Sequence, residues 1–373
     1  MTFLDVVASA RLAACALLAS VACAAAGQPT EPDKPADAEV PSIALVLPSQ
    51  ATIFAQAAEA VRQGFFAAHQ LNARNVTVQV IEVDEDPGQL DAALAAARDR
   101  GVRVAVGPLP RGAVNALVEG GRVILPMVTL NYPDRDAAAP ATMIAFGLSV
   151  EAEAQRAVKV ALAEFVGVRQ GAVAGSRFIV LTGAGALQRR VGQAYVSALR
   201  AVGEPPTAVD VTLDSLDRLA LQLDSGQFEA AFLALDAREA ALVRARVPRS
   251  ALIFGTSQLN IGNPTSPGAA ALAHDLEGVR FVDMPWLLQP DHPAVMVYPQ
   301  PAQPLAPDLA RLYALGIDAY RLAQAWMNGE KRFEIDGVTG RLSVDRSRGA
   351  RVERVPSSAI YRNGTIEREE VAR

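Results

Sequence analysis

The feature that most constrains this chain is a regular alternation of short apolar segments with amphipathic ones. Residues 43–47 form a continuous apolar run that ends at Pro48, as expected of a strand buried in a parallel sheet. Residues 53–70 then place their apolar side chains on one helical face, and residues 76–80 alternate like a second strand. The same order continues to Asn131. Repeated strand–helix–strand order predicts a doubly wound parallel sheet.

The pattern starts again after residue 148. A long helix is predicted over residues 151–166, with Ser149 as its N-cap and acidic residues in its first turn. Four further strands separated by helices predict a second α/β unit. A helix predicted over 307–328 returns the chain to the first unit, and two closing strands follow. These predicted strands are 177–181, 209–213, 230–235 and 251–255, with 337–344 and 359–366 at the end.

The stretch from Phe281 to Leu288 links the two units. It begins with β-branched and aromatic residues and is stopped by Pro285, which cannot donate to a sheet ladder. A strand that stops at Asp283-Met284-Pro285-Trp286 is typical of a chain crossing between two bodies. We expect the other crossings near residues 146–149 and 337–340.

The predicted fold class is therefore α/β, with two doubly wound parallel-sheet lobes joined by a three-crossing hinge, as in type I periplasmic binding proteins. The length of 373 residues is consistent with two lobes. We assign residues 42–147 and 284–337 to the first lobe. Residues 148–283 and 338–373 are assigned to the second lobe.

The amino-terminal segment predicts export. Residues 1–26 combine Arg11 with an apolar run that is too short to span a bilayer, as in a signal peptide. Two outcomes stay open: lipidation of Cys23, with anchoring to the inner leaflet of the outer membrane, or cleavage after Ala26. Both cysteines lie in this leader, so the body contains no disulfide.

Residues 27–41 carry four prolines and four acids and predict an extended tether of about 45 Å at polyproline rise. We expect the body in the periplasm.

Composition argues against several classes of function. The formal charge is −5, from 35 basic and 40 acidic residues, and no basic cluster suits nucleic acid. The three histidines are far apart in sequence, so we expect no metal site and no cofactor. The turn at residues 182–187 lacks the complete motif of a nucleotide-binding loop, and a plain strand-to-helix turn is the favoured interpretation. No nucleophile with a matching acid and base is apparent, so we predict no enzyme.

Several short motifs, in order along the chain, resemble the carboxyl-terminal domain of the lipoprotein activators of penicillin-binding proteins. The most specific are the stretches 283–288 and 313–320. The full set is 43–48, 64–65, 107–109, 130–131, 146–149 with 151–154, 275–279, 283–288, 313–320 and 337–340. The resemblance covers nearly all of residues 42–366. It implies a periplasmic, outer-membrane-anchored protein that binds a bifunctional penicillin-binding protein and raises its cross-linking activity.

The sequence also departs from that family. Larger members carry an amino-terminal helical-repeat domain, where this sequence has the tether of residues 27–41. This leaves two outcomes open: partner binding altered or lost, and ligand binding by the two-lobed body retained or regained.

In open α/β sheets, ligands bind outside the carboxyl ends of the strands, which gives a set of candidate cleft residues. For Asp283 and Trp286 we favour a packing role, with the aspartate capping backbone groups and the indole filling the lobe. Asp318 is expected to bind a neighbouring loop. The candidates are Ser49, Gln50, Leu109, Thr129, Asn131, Thr182, Ser257, Asp283 and Trp286.

The segment between residues 289 and 308 contains six prolines, which predicts an exposed extended loop without helix or sheet. Met296 and Tyr298 in that loop are candidates for a protein-docking strip, and an irregular surface loop without a partner is the equal alternative.

Two functions follow as hypotheses. The first is a non-enzymatic activator of a bifunctional penicillin-binding protein in peptidoglycan synthesis. The second is a periplasmic solute-binding protein that takes a small polar ligand, such as an amino acid or a peptide, and serves a transporter.

Overall fold

A computed structural model describes residues 40–369 apart from short gaps at 85–86, 122, 135–139, 166–176, 213, 215, 226–227, 263–266 and 348–350. The predicted signal peptide, Cys23 and nearly all of the predicted tether lie outside the described residues. Within the part of the chain that is described, no helix is both long and apolar enough to cross a bilayer.

The first lobe is built on a five-stranded sheet in which every strand pair is parallel. All seven residues of its second-position strand β1 are buried, because helices cover both faces of a doubly wound sheet. The strand order is β2-β1-β3-β4-β5. The strands are β1 (Ser42–Pro48), β2 (Thr77–Val83), β3 (Val102–Val106), β4 (Met127–Thr129) and β5 (Met143–Ala145); the helices are α1 (Ala55–Gln70), α2 (Pro87–Asp99) and α3 (Arg111–Gly120).

The second lobe is built on a seven-stranded sheet with the order β15-β14-β10-β9-β8-β6-β7. Five strands are parallel, and β14 and β15 add an antiparallel edge. The strands are β6 (Phe178–Thr182), β7 (Thr207–Asp210), β8 (Ala230–Ala234), β9 (Leu252–Gly255), β10 (Val279–Asp283), β14 (Ser357–Arg362) and β15 (Thr365–Glu369). The helices are α4 (Val150–Glu164), α5 (Ala186–Ala201), α6 (Leu216–Ser225), α7 (Ala237–Arg244) and α8 (Pro267–Asp275).

The closing strands differ from the sequence prediction in detail. Residues 359–366 form two strands rather than one, because Asn363 and Gly364 both adopt positive φ and make a hairpin turn. The predicted strand over 337–344 starts later, since residues 337–340 form a turn. A small antiparallel sheet follows, with β11 (Arg332–Asp336), β12 (Arg341–Asp345) and β13 (Glu353–Val355).

Helix α11 (Pro307–Met327) packs against α1 at very close range, and two glycines permit the approach. A Cβ on Gly64 would lie 1.8 Å from the carbonyl oxygen of Tyr313. A Cβ on Gly316 would lie 2.1 Å from the carbonyl oxygen of Val61. The glycines are therefore required by backbone contact rather than by a turn, and the contact holds α11 in the first lobe.

The hydrophobic core divides in step with the lobes. One cluster contains side chains from β1, α1, α11 and the small sheet, and two others flank the seven-stranded sheet. Cluster membership changes between Phe146 and Ala154, again between Val282 and Met284, and finally between Val352 and Ala359. Three crossings therefore join two α/β lobes, which confirms the predicted fold class. We propose that the third lobe boundary lies after Val352, beyond the predicted split at 337–338.

The proline-rich segment is not the continuous extended loop that we predicted. The short helix α10 (Pro293–Met296) lies within it, and α9 (Pro285–Leu288) directly precedes it. Both helices begin with proline at the first helical position, where its missing N–H is not needed. Tyr298 is buried, so the predicted docking strip is wrong for this residue, whereas Met296 is exposed.

Candidate functional site

The carboxyl ends of four first-lobe strands surround a cavity of about 640 Å³. Its walls come from the ends of β1, β2 and β3, the loop after β4, the start of α3, and Leu312 of α11. The lining is mostly apolar and includes Phe54 and Leu109. Candidate residues Leu109 and Asn131 are thus brought together, next to the turn that carries Ser49 and Gln50.

Polar groups at this edge mainly hold the surrounding loops. The amide of Asn131 donates to the Leu109 carbonyl at 3.2 Å, and the buried Thr129 hydroxyl donates to the Asn131 carbonyl at 2.9 Å. The Ser49 hydroxyl donates to Asp84 Oδ1 at 2.6 Å. Gln50 is exposed. The first-lobe candidates therefore shape an apolar cavity and offer it few polar contacts.

Arg111, on the rim of that cavity, is paired with Asp134. Its Nη1 lies 3.1 Å from Asp134 Oδ1, and the amide of Asn115 donates to Asp134 Oδ2 at 2.7 Å. The hydrogen bonds from Asn115 and Arg111 lower the pKa of Asp134 below its ordinary value. This carboxylate is charged at neutral pH and keeps Arg111 oriented along the rim.

The second-lobe candidates lie in a different environment, because Ser257 is buried against Glu153 of α4. The hydroxyl of Ser257 donates to Glu153 Oε2 at 2.7 Å, and its backbone N–H donates to the same oxygen at 3.2 Å. The other carboxylate oxygen accepts from Arg354 Nη2 at 3.0 Å. The Glu153 and Arg354 side chains are only 4% and 3% exposed.

Asp283, the last residue of β10, is fully buried, and both of its carboxylate oxygens accept hydrogen bonds. Arg311 of α11 donates from Nε to Oδ1 at 3.1 Å and from Nη2 to Oδ2 at 2.7 Å, which is a bidentate pair. Asn260 donates to Oδ2 at 2.7 Å, and the Met284 backbone N–H donates to Oδ1 at 2.8 Å. Asp283 therefore caps the backbone at the crossing, and its main partner is an arginine from the other lobe.

Arg311 also binds two groups other than Asp283. Its Nη2 donates to the Ser257 carbonyl at 2.9 Å, and its Nη1 donates to Asp308 Oδ1 at 2.8 Å. Burial opposes the charged form, but the Asp283 carboxylate outweighs it and raises the pKa of Arg311 above its ordinary value. Arg311 is thus a permanent cation held between the lobes.

These contacts join into one buried system, which we call the interlobe network. It links α11 and the small sheet of the first lobe to α4 and β10 of the second. The network consists of Glu153, Ser257, Asn260, Asp283, Arg311 and Arg354.

Arg354 also contacts the turn at residues 337–340, within the first lobe. Its Nη1 donates to the Thr339 carbonyl at 3.1 Å. The turn at Thr339 is held in turn by Asp318, which accepts from the Thr339 hydroxyl at 2.6 Å and from the Thr339 backbone N–H at 2.8 Å. The expected role of Asp318, binding a neighbouring loop, is confirmed.

The remaining candidates are not part of this network. Thr182 packs against α5, where a Cβ on Gly192 would lie 2.3 Å from its hydroxyl oxygen. Trp286 is 5% exposed, and its ring centroid lies 5.2 Å from that of Tyr313. The indole is therefore packed in the first-lobe core.

Sequence reasoning missed Arg311, Glu153 and Arg354. Two of these have a recognisable signal. Arg311 lies in register with Ala314, Leu315 and Leu322 on the buried face of α11, and Glu153 is similarly placed on α4. A charged residue at an apolar helical position is rarely buried unless it is paired, so such positions identify buried ion pairs. Arg354 lies on the short strand β13, whose neighbouring residues are exposed, and its sequence position gives no such signal.

In the described ranges, no group of three or more His, Cys, Asp and Glu side chains is placed to hold a metal ion.

Comparison with known proteins gives a family and a fold. The family model described as "LppC putative lipoprotein" matches residues 36–225 and 219–364. A curated relative from Klebsiella pneumoniae, named penicillin-binding protein activator LpoA, is 26% identical over 328 residues. That match covers 79% of this chain and 45% of the relative, so the chain spans about half the length of the curated protein.

Two solved structures cover most of the chain. The LpoA carboxyl-terminal domain from Haemophilus influenzae, described as a regulator of PBP1A, has a TM-score of 0.69 at 20% identity, and the match covers 88% of this chain and 100% of that domain. A protein from Chromobacterium violaceum, described as "a putative branched-chain amino acid ABC transporter", has a TM-score of 0.69 at 33% identity, and the match covers 86% of this chain and 99% of that chain. The first likeness establishes the fold, and the second is a relative of similar size.

Proposed function

Because this chain belongs to the LppC lipoprotein family, we propose that it activates a bifunctional penicillin-binding protein in peptidoglycan synthesis. The proposal is supported by curated relatives that are named as activators and by a family match over nearly the whole body. The activity would reside in the two-lobed body, since this is the part that the relatives share with it.

The observation that carries this proposal is the interlobe network. In a solute-binding protein, polar side chains at the strand ends must be free to bind the ligand. Here Ser257 and Asp283 bind Glu153 and Arg311 instead. A small polar ligand would have to displace a bidentate buried ion pair, which favours action through contact of the outer surface with a protein partner.

The proposed mode of action is non-enzymatic. The buried carboxylates of the network are held by arginines and backbone N–H groups, so neither Glu153 nor Asp283 is placed to exchange protons with a substrate. Regulation would come from binding the synthase and favouring its active conformation.

We place the protein in the periplasm, anchored to the inner leaflet of the outer membrane through a lipid on Cys23. The family description as a lipoprotein supports this. Mass spectrometry of the native protein tests it. A diacylglyceryl mass on a chain beginning at Cys23 is the expected result, and an unmodified chain beginning at Gly27 would contradict lipidation.

Binding is tested with purified proteins. We expect the immobilised body to retain the bifunctional penicillin-binding protein of the same organism and to leave a monofunctional transpeptidase in the flow-through. Equal retention of both, or retention of neither, would contradict the proposal.

Two observations favour a second function, the capture of a solute for a transporter. The match with the Chromobacterium violaceum protein covers 99% of that chain, and the first-lobe edge holds a cavity of about 640 Å³. A thermal-shift screen of amino acids and peptidoglycan fragments tests it, because a ligand at 100 times its Kd stabilises by about 2.7 kcal/mol. A uniformly flat screen would rule against solute capture.

A further inference from the structure

A second cavity, of about 1100 Å³, lies beside the hinge rather than at the strand ends. Pro285 and Gln289 line it from the second crossing, and the segment 355–358 lines it from the third. Arg156 of α4 and Arg341 of β12 complete the wall. The cavity therefore touches elements of both lobes where the chain crosses between them.

Three buried polar atoms in this one wall have no hydrogen-bond partner among the described residues: Arg156 Nε, Ser358 Oγ and Glu369 Oε2. Ser358 is only 4% exposed, so water from the bulk does not satisfy it freely. Buried polar groups are nearly always paired, and an unpaired one requires a specific explanation. Three such atoms belong to residues that line one cavity, which points to a ligand that supplies the partners.

The charges of the wall favour an anion. Within the described part of the chain, neither Arg156 nor Arg341 forms an ion pair with a carboxylate. Burial, together with the positive charge of Arg341, lowers the pKa of Arg156 below its ordinary value. Two like charges therefore face the same space without a counter-ion from these residues.

None of the three acidic residues of the wall forms an ion pair with Arg156 or Arg341 in the described part of the chain. Glu369 is bound to Arg280 at 3.1 Å, and Asp336 lies 3.8 Å from His292. Glu334 is exposed at the rim. Arg368 also lines the wall.

We propose that this hinge cavity binds an oxyanion group, a carboxylate or a phosphate, between Arg156 and Arg341, with the Ser358 hydroxyl as a further donor. The unpartnered Glu369 Oε2 is an acceptor, which favours a ligand that also carries an N–H or O–H group. Because Arg156 and Ser358 belong to the second lobe and Arg341 to the first, the bound group stabilises one arrangement of the two lobes. The site is independent of the proposed activation of a synthase and is tested on the isolated protein.

The experiment measures thermal unfolding of the purified protein at constant ionic strength, titrated with inorganic phosphate and, separately, with glycylglycine. We expect a saturable rise in Tm with at least one of the two probes. Tighter binding of phosphate identifies a phosphate group as the preferred ligand, and tighter binding of glycylglycine identifies a peptide carboxylate. Flat titrations with both probes overturn the proposal.

Variants separate a binding role from a structural one. Arg156→Gln and Arg341→Gln should each weaken the binding of the probe by about tenfold or more, as expected for loss of a charge-assisted hydrogen bond. The control Arg238→Gln, an exposed position on α7, should change it by less than about twofold.

A further readout is the Tm of Arg156→Gln without anion. It should equal or exceed that of the wild type, because the substitution relieves the repulsion from Arg341. A lower Tm without anion, or unchanged binding of the probe, would show that Arg156 serves the fold and would overturn the site.

Discussion

The carboxyl edges of the parallel strands in the two sheets are built alike but differ in what surrounds them. In the first lobe, the strand ends surround an apolar cavity of about 640 Å³ and their polar groups hold only local loops. In the second lobe, Ser257 and Asp283 are buried and bound by groups from α4 and α11. The difference indicates that polar groups at a strand end can bind a ligand only if they are not already paired with side chains from distant parts of the same chain.

The largest expected effect comes from breaking the second-lobe edge at Arg311. Arg311→Met leaves the fully buried Asp283 carboxylate without its counter-ion, and we expect a loss of about 3–5 kcal/mol in the free energy of unfolding. Urea denaturation measures it. The matched control is Arg332→Met, which removes a surface pair with Asp345 and should cost less than about 1 kcal/mol. Similar losses in the two variants would contradict the comparison.

A double-mutant cycle sharpens the same point. Asp283→Asn should recover part of the loss when it is added to Arg311→Met, since the uncompensated buried charge disappears. We expect a coupling free energy of more than about 1 kcal/mol, within the range for directly bonded neighbours. Additive losses would mean that Arg311 and Asp283 stabilise the protein independently.

Glu153→Gln should give the next largest loss in the free energy of unfolding. The neutral amide can still accept from Ser257 but loses its charge-assisted bond with Arg354, which should cost about 1.5–3 kcal/mol. Two residues earlier on the same helix, Glu151→Gln removes a half-exposed pair with Arg190 and should cost less than about 1 kcal/mol. Equal costs measured by denaturation would show that burial at position 153 has no energetic consequence.

The first-lobe edge should give the smallest effects. Thr129→Val removes one buried hydrogen bond and should cost about 1 kcal/mol. Ser49→Ala, in an exposed turn, should stay within about 0.5 kcal/mol of the wild type in calorimetry. A loss at Thr129 comparable to that at Arg311 would remove the distinction between the two edges.

Much of the fold was predictable because its signals are local. The continuous apolar run of β1 and the N-cap at Ser149 both appear as expected, and Ser149 accepts from the Ala152 backbone N–H at 3.1 Å. The hairpin at Asn363-Gly364 also had a local signal, the Asn-Gly pair, which the prediction of a single strand overlooked. The prediction of a helix-free proline-rich segment was wrong for a related reason: proline is tolerated at the first position of a helix.

The candidate site was less predictable, because its decisive contacts are distant in sequence. Strand ends can be located from sequence, and Leu109, Asn131, Ser257 and Asp283 do lie at or just after the ends of strands. Arg311 is 28 residues from Asp283, and Arg354 is 201 residues from Glu153. Their pairing depends on how α11 and β13 are placed by the two glycine contacts and the small sheet, which local patterns do not encode.

The protein is proposed to act by contact with a synthase and not by capture of a polar solute. The most direct test is the fraction of cross-linked stem peptides made by a purified bifunctional penicillin-binding protein as this protein is added. We predict that the fraction rises and saturates with the ratio of the two proteins, and that an added mixture of amino acids leaves the curve unchanged. An unchanged fraction across the titration, or a rise that depends on an added amino acid, would contradict the account.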